Sequence, residues 1–235
     1  MPSRMRLAIF CITAIVFTSA CALTTPAAVQ PTWAPESVAS AIATRSASAQ
    51  NAEGAKSYAL SVTASCHADE QLIGGGFEAT NIFEYALFLR TSYPAHNAWT
   101  VKADSISHYA LEVFAYCLRG EPSLGAQIVS GNECPAGASP LSHGKAEDGV
   151  VTLCAARHVA SVTHVLAYVT LTSAFNEYQT QRATMNCPAG TLALDGFAPI
   201  GTALSSKATP GFGAWEMTLG GNGAGDVYAN CVTLV

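Results

Sequence analysis

Ala98-Trp99-Thr100-Val101-Lys102-Ala103-Asp104 reads as a β-strand with one buried face, because Trp99, Val101 and Ala103 alternate with Thr100, Lys102 and Asp104. A period of two places the apolar set on a single side of an extended chain. The alternation returns where Trp215, Met217 and Leu219 are interleaved with Glu216, Thr218 and Gly220. Each stretch then ends on a second such strand. Leu111, Val113, Ala115 and Cys117 share a face in the first, and Val227, Ala229, Cys231 and Thr233 in the last, so a cysteine sits on the buried side among small apolar residues.

These strands belong to two longer stretches with the same landmarks. The first runs Cys66, Leu72-Ile73-Gly74-Gly75-Gly76-Phe77, Ser92-Tyr93-Pro94, Trp99, Cys117; the last runs Cys187, Leu194-Asp195-Gly196-Phe197, Thr209-Pro210, Trp215, Cys231. Proline precedes tryptophan by five residues in both, and cysteine precedes phenylalanine by eleven and ten. Such self-similarity points to a modular chain. Between them Cys134-Pro135-Ala136-Gly137 matches Cys187-Pro188-Ala189-Gly190, and Val151-Thr152-Leu153-Cys154 resembles a closing strand, which makes a shortened middle copy without the tryptophan section. Val162-Thr163-His164-Val165 and Ala167 to Leu171 are β-branched and aromatic enough for a long strand.

The expected fold is therefore all-β, with antiparallel strands in two related disulfide-closed modules (58–120 and 173–235) flanking a shortened module (121–172). Eight cysteines occur; Cys11 and Cys21 belong to the leader described below, leaving six. Opening and closing cysteines within each copy pair Cys66 with Cys117, Cys134 with Cys154 and Cys187 with Cys231, although six cysteines by themselves allow fourteen other connectivities. Glycines at 74–76 are read as a bulge or tight turn, and those at 220–225 as a hairpin turn.

The order C-P-x-G, G-G-G, S-x-P, W-x-V and Y-A-x-C resembles a β-repeat of secreted and surface proteins of bacteria, largely of unknown function and sometimes at the tip of adhesin-like chains. The resemblance covers about residues 58–235 and implies a stable extracellular module; no catalytic residue comes with it. The chain departs from the pattern at Cys66-His67-Ala68-Asp69, at Leu194-Asp195-Gly196 and in the middle copy, which lacks the tryptophan.

Outward from these modules, residues 1–22 carry Arg4 and Arg6, an apolar run from Leu7 to Phe17 and then Thr18-Ser19-Ala20-Cys21-Ala22. This is the charged, apolar and small-residue succession of an export signal. Thr18-Ser19-Ala20-Cys21 has the form of a lipobox, so Cys21 is the expected lipidation site, and Ala20-Cys21-Ala22 offers ordinary cleavage before Leu23 as the alternative. Residues 23–57, rich in Ala, Ser and Pro, are expected to be a flexible spacer holding the modules away from a membrane touched only through the lipid, with a weak helix from Glu36 to about Gln50 as the competing reading.

Composition narrows the function. Only 11% of residues are charged and the formal net charge is −5, with no basic run, which excludes phosphate-backbone capture of nucleic acid. The six histidines show no metal-ligand spacing, no G-x-S-x-G elbow occurs, and neither a metal nor another cofactor is expected. Asp104 with Glu112, Glu216 with Asp226, and Asp69 with Glu70 are the acidic residues a hidden hydrolase could use. The first stretch carries an aromatic insertion, Asn81 to Phe88, between its phenylalanine and tryptophan. Phe83, Tyr85, Tyr93 and His96 are accordingly the candidate ligand-binding residues, since exposed aromatics beside polar groups suit sugars or proteins. The expected function is a non-enzymatic, exported module binding a glycan or a surface protein, with a small secreted hydrolase as the alternative.

Overall fold

The structure, a computed structural model, describes residues 35–51, 58–80, 87–105, 108–120, 123–171, 180–199, 202–221 and 223–235. The leader, Cys21, Phe83 and Tyr85 lie outside the described residues. Helix α1 (Pro35–Ala41) leads into β1 (Ile42–Gln50), followed by β2 (Tyr58–Ser65), β3 (Glu70–Thr80), β4 (Phe88–Ala95), β5 (Ala98–Ser105) and β6 (Ala110–Arg119). The middle of the chain holds β7 (Ala126–Ser130), β8 (Ser139–Ala146) and β9 (Gly149–Ala155). Then come β10 (Val159–Leu171), β11 (Thr180–Asn186), β12 (Leu192–Phe197), β13 (Thr202–Ala208), β14 (Ala214–Gly220) and β15 (Gly223–Leu234). All strand pairs are antiparallel, so the all-β expectation holds.

Two kinds of three-stranded group recur. In one, the strand ending on the closing cysteine is central: β6 lies between β1 and β3, β9 between β7 and β8, and β15 between β10 and β12. In the other, the tryptophan strand is central, with β5 between β2 and β4 and β14 between β11 and β13. Edge pairing then fuses unlike groups. Phe77 of β3 faces Ser206 of β13, Lys145 of β8 faces Ser92 of β4, and two six-stranded sheets result. The third cysteine group, β10-β15-β12, joins no tryptophan group among the described residues and stays three-stranded.

The disulfides are Cys66–Cys117, Cys134–Cys154 and Cys187–Cys231, with Cα separations of 5.6, 5.7 and 5.6 Å. Their surroundings correspond closely. After each opening cysteine a turn closes with a backbone bond, Glu70 N–H to His67, Ala138 N–H to Pro135 and Thr191 N–H to Pro188. Leu72, Pro140 and Ala193 then face the closing cysteine, and each is followed by a register shift. The residue inside each shift, Ile73, Leu141 or Leu194, is fully buried where β3, β8 and β12 lie against one another. A bulge redirects a side chain that regular alternation would have aimed elsewhere, and here it supplies one residue from each third of the chain to a common centre. One hydrophobic cluster runs from Val38 through Phe77, Leu141 and Val169 to Leu219, so the three stretches share a core.

Trp99 and Trp215 explain the glycines. Each ring lies on a glycine of the facing group, Gly75 and Gly196, where an added methyl would overlap ring atoms. Each indole N–H donates to a serine hydroxyl on the neighbouring strand, Ser92 at 3.0 Å and Ser206 at 2.9 Å. Gly76 and Gly144 serve a different need, since a side chain there would strike the backbone of β13 or the backbone and Cβ of Tyr93 on β4 where the sheets fuse.

Three expectations are corrected. Residues 35–50, read as spacer, form α1 and β1, and the competing helix stops at Ala41. Composition hid this because β1 turns only the small residues Ala43, Ala47 and Ala49 to the core side of its sheet; its order comes from ladder pairing to β6 along nine residues rather than from its own apolar mass. Second, the boundaries 58 and 173 separate paired strands: β1 belongs with β6, and β10, assigned to the middle module, pairs along its length with β15. Third, the glycine-rich stretch 220–225 does not join a hairpin: β14, ending at Gly220, pairs with β11 and β13, while β15, beginning at Gly223, pairs with β10 and β12 in another sheet.

Glu70 clamps β1 in place. Its buried carboxylate accepts from Arg45 of β1 (2.5 and 3.1 Å), from Arg119 of β6 (3.0 Å) and from the His67 N–H (3.0 Å). The Arg45 hydrogen bond leads in holding its pKa down to about 2, with burial opposing. A depressed carboxylate stabilises the fold above its unfolded pKa of about 4.3, and that contribution is lost as pH falls from there toward 2. Because the guanidinium groups reach solvent, the effect at neutral pH is reduced to roughly 2 kcal/mol. Glu70→Gln should lower stability by about that amount at pH 7 and flatten the acid limb of a stability–pH curve. An unchanged acid limb would mean the clamp is absent in solution.

Candidate functional site

Three consecutive positions show where the molecule departs from its own pattern. Eight, nine and ten residues beyond the opening cysteine stand Gly74-Gly75-Gly76 in the first third, Ser142-His143-Gly144 in the second and Asp195-Gly196-Phe197 in the last. His143 takes the place where the other thirds need glycine under a tryptophan, which the middle third lacks. Phe197 takes the place where Gly76 and Gly144 let a neighbouring strand pass; beside β12 no strand passes among the described residues, and a ring fits.

The result is a patterned outer face on β10-β15-β12. Directly paired antiparallel residues share a face, so Phe197, Tyr228 and Leu166 form one row across the sheet and Asp195, Asn230 and His164 the next. The first row is apolar and open, with Phe197 50% and Leu166 61% exposed, and Tyr168 beyond it 70% exposed. Phe197 and Tyr228 lie 5.5 Å apart with their rings tilted by 35°. The second row is polar; Asp195 and Asn230 are each 6% exposed, and His164 at its end is exposed.

Hydrogen bonds set this polar row. Asp195 Oδ2 accepts from the His143 N–H at 2.8 Å and from Asn230 Nδ2 at 3.1 Å, and lies 3.2 Å from His143 Nδ1. His164 Nδ1 approaches Asn230 Oδ1 at 2.6 Å. The hydrogen bond to Asp195 raises the pKa of His143 above the ordinary histidine value, against the effect of burial. The side chains are thus pre-positioned by β8, β12, β15 and β10 together. Such a surface can offer apolar contact from one row and directed polar groups from the other.

The strand edge itself is poorly suited to extension. β12 ends at Phe197, and Pro199 follows, which has no N–H to offer a ladder.

Of the residues expected from sequence, His96 is exposed in the turn between β4 and β5, with φ 55°, and borders a cleft of about 680 Å³. Tyr93 is half-buried beneath the β8 backbone at Gly144 and does not border that cleft. Neither residue belongs to the two rows. Phe197 was legible only by aligning on Cys187: counted from the cysteine, Gly196 corresponds to Gly75 and Phe197 to Gly76, whereas matching Phe197 with buried Phe77 slips the strand by one residue and turns the face over.

The acidic residues of the hydrolase reading are dispersed. Asp104 on β5 bonds Arg90, at 2.6 Å, and sits in a different sheet from Glu112; Glu216 and Asp226 are likewise in different sheets; Glu70 is engaged by its two arginines. Cys66, Glu70 and Cys117 bring ligand-type atoms within 4.8 Å of one another, but both sulfurs are joined in the disulfide and offer no thiolate to a metal. No family model matches the chain, and no curated protein matches its sequence.

Proposed function

We propose that the chain is an exported, non-enzymatic binding protein built from three copies of one unit, held at the cell surface by acylated Cys21, and that it captures a glycan on the outer face of β10-β15-β12. The observation that carries this reading is the pair of adjoining rows, aromatic and exposed beside polar and hydrogen-bonded, at the place where a tryptophan group is missing. A sugar ring presents an apolar face and a rim of hydroxyls. Phe197 and Tyr228 suit the face, and exposed His164, oriented by the buried Asn230 and Asp195, suits the rim. Pro199 beside the strand edge favours recognition by side chains over addition of a partner's strand.

The test is a broad glycan array probed with the wild type and with Phe197→Ala/Tyr228→Ala. The double variant should lose at least about tenfold in affinity for any glycan captured, as anchoring aromatics do. Its unfolding midpoint should stay near the wild type's, since Phe197 is half exposed and Tyr228 is not fully buried. A wild type that captures no glycan, or a double variant that captures it equally well, removes the reading.

A further inference from the structure

The fused joints of the two six-stranded sheets correspond at Phe77 facing Ser206 and Lys145 facing Ser92, eleven residues beyond each opening cysteine, yet one is filled and the other is hollow. Where β3 meets β13, Tyr116, next to closing Cys117, is buried with Phe212 edge-on at 5.0 Å, and its hydroxyl accepts from the Ala208 N–H at 2.8 Å. Phe212 stands three residues before Trp215 with φ 59°, and α1 lies against its turn. Where β8 meets β4, the residue next to closing Cys154 is Leu153, and the residue three before Trp99 is His96, with φ 55°. A leucine and an exposed imidazole thus replace two packed rings.

What is left is the cleft of about 680 Å³, with Leu72 and Leu153 as its buried apolar lining and His96, Gln127 and Ile128 at its margin. That volume falls within the range of ordinary ligand sites, about 300–1,000 Å³. Its walls are held in place. Gln71 Oε1 accepts from the Leu124 N–H at 3.0 Å, while Asn97 accepts from the Leu72 N–H at 2.9 Å and donates to the carbonyls of His67 and Glu70. The cleft borders β7, the exposed terminal strand of its sheet, whose outer backbone edge has no strand beside it among the described residues.

We infer that this cleft is a second binding site, distinct from the glycan face, and that it receives a tyrosine or phenylalanine side chain of an extended segment of a partner protein. The ring fills the volume that Tyr116 and Phe212 fill at the other joint, and the segment's backbone pairs with β7 as an added strand. The internal counterpart, Tyr116 with Phe212, is the chemistry that packs at such a joint, and the open edge of β7 is the route by which a peptide would approach.

Two blocked pentapeptides serve as probes, Thr-Val-Tyr-Val-Thr and the same sequence with alanine at its centre, together with N-acetyltyrosinamide. Binding is followed by amide NMR shifts in the oxidised protein. The tyrosine peptide should shift Gln127, Ile128 and Leu153 and bind at least about tenfold more tightly than the alanine peptide and than N-acetyltyrosinamide. The variant Leu153→Tyr/His96→Phe, which rebuilds the filled joint, should lose that binding at least about tenfold while Phe197→Ala/Tyr228→Ala keeps it. Equal binding of the two peptides, or shifts confined to other strands, overturns the site. Equal binding of N-acetyltyrosinamide and the tyrosine peptide overturns the added strand. Should the rebuilt variant not fold, the two-peptide comparison on the wild type decides alone.

Discussion

Trp215→Ala is expected to lower the unfolding free energy by about 3–5 kcal/mol, and Trp99→Ala to do the same in its own group. Both rings are almost completely buried, and each joins the two kinds of three-stranded group, lying on a glycine of the facing group while its N–H donates to a serine. Truncation removes the largest side chain at the contact, leaves a cavity, and strands the buried Ser206 or the partly buried Ser92 hydroxyl without its donor. Trp215 should fall at the upper end, since it is also edge-on to Tyr116 at 6.1 Å. The complementary variants sharpen the test. Gly196→Ala should be about as damaging, because the methyl overlaps the ring, whereas His143→Gly at the corresponding place in the middle third should cost no more than roughly 1–2 kcal/mol, from the flexibility of glycine and the lost imidazole contacts with Asp195 and Asn230. Urea midpoints at constant m compare the four proteins. If Trp215→Ala unfolds at the wild-type midpoint, the ring does not bridge the groups in solution.

What the sequence made legible, and what it hid, follows from how far each signal reaches. Period-two alternation around Trp99, Trp215, Cys117 and Cys231 is local, and those strands and their buried faces lie as expected. Cysteine placement carried farther, because the same bulge and the same turn recur around each bridge. The exchange of groups between stretches, β3 with β13 and β4 with β8, had no local signature; edge pairing is decided by which strand edges remain open once each group has formed. β1 escaped notice because alanines and a serine-rich outer face resemble a linker until β6 lies beside them. The candidate binding face was hidden for a related reason. Phe197 is informative as an exception to a rule about close approach, and that rule appears only when Gly76 and Gly144 are seen beneath passing backbone.

Removing a bridge, with both cysteines replaced by alanine, should cost about 4 kcal/mol for Cys66–Cys117 or Cys187–Cys231 and about 3 kcal/mol for Cys134–Cys154, following the loop-closure entropy of chain separations of 51, 44 and 20 residues. The order is a stringent part of the expectation. The middle third has no tryptophan group of its own, so if native contacts governed the outcome, Cys134–Cys154 would be the most costly bridge to lose; if the unfolded chain governs it, the shortest loop costs least. Denaturant titration of the three variants separates the two accounts. Together the bridges contribute on the order of 10 kcal/mol, comparable to the whole stability of an ordinary domain. The fold should therefore collapse on reduction by dithiothreitol, with loss of its β signature in circular dichroism, and a chain with that dependence can hold its structure only where thiols stay oxidised. A reduced protein that keeps its midpoint would show that the shared core suffices without closure, and would withdraw the main physical support for reading the molecule as one that works outside the reducing cytoplasm.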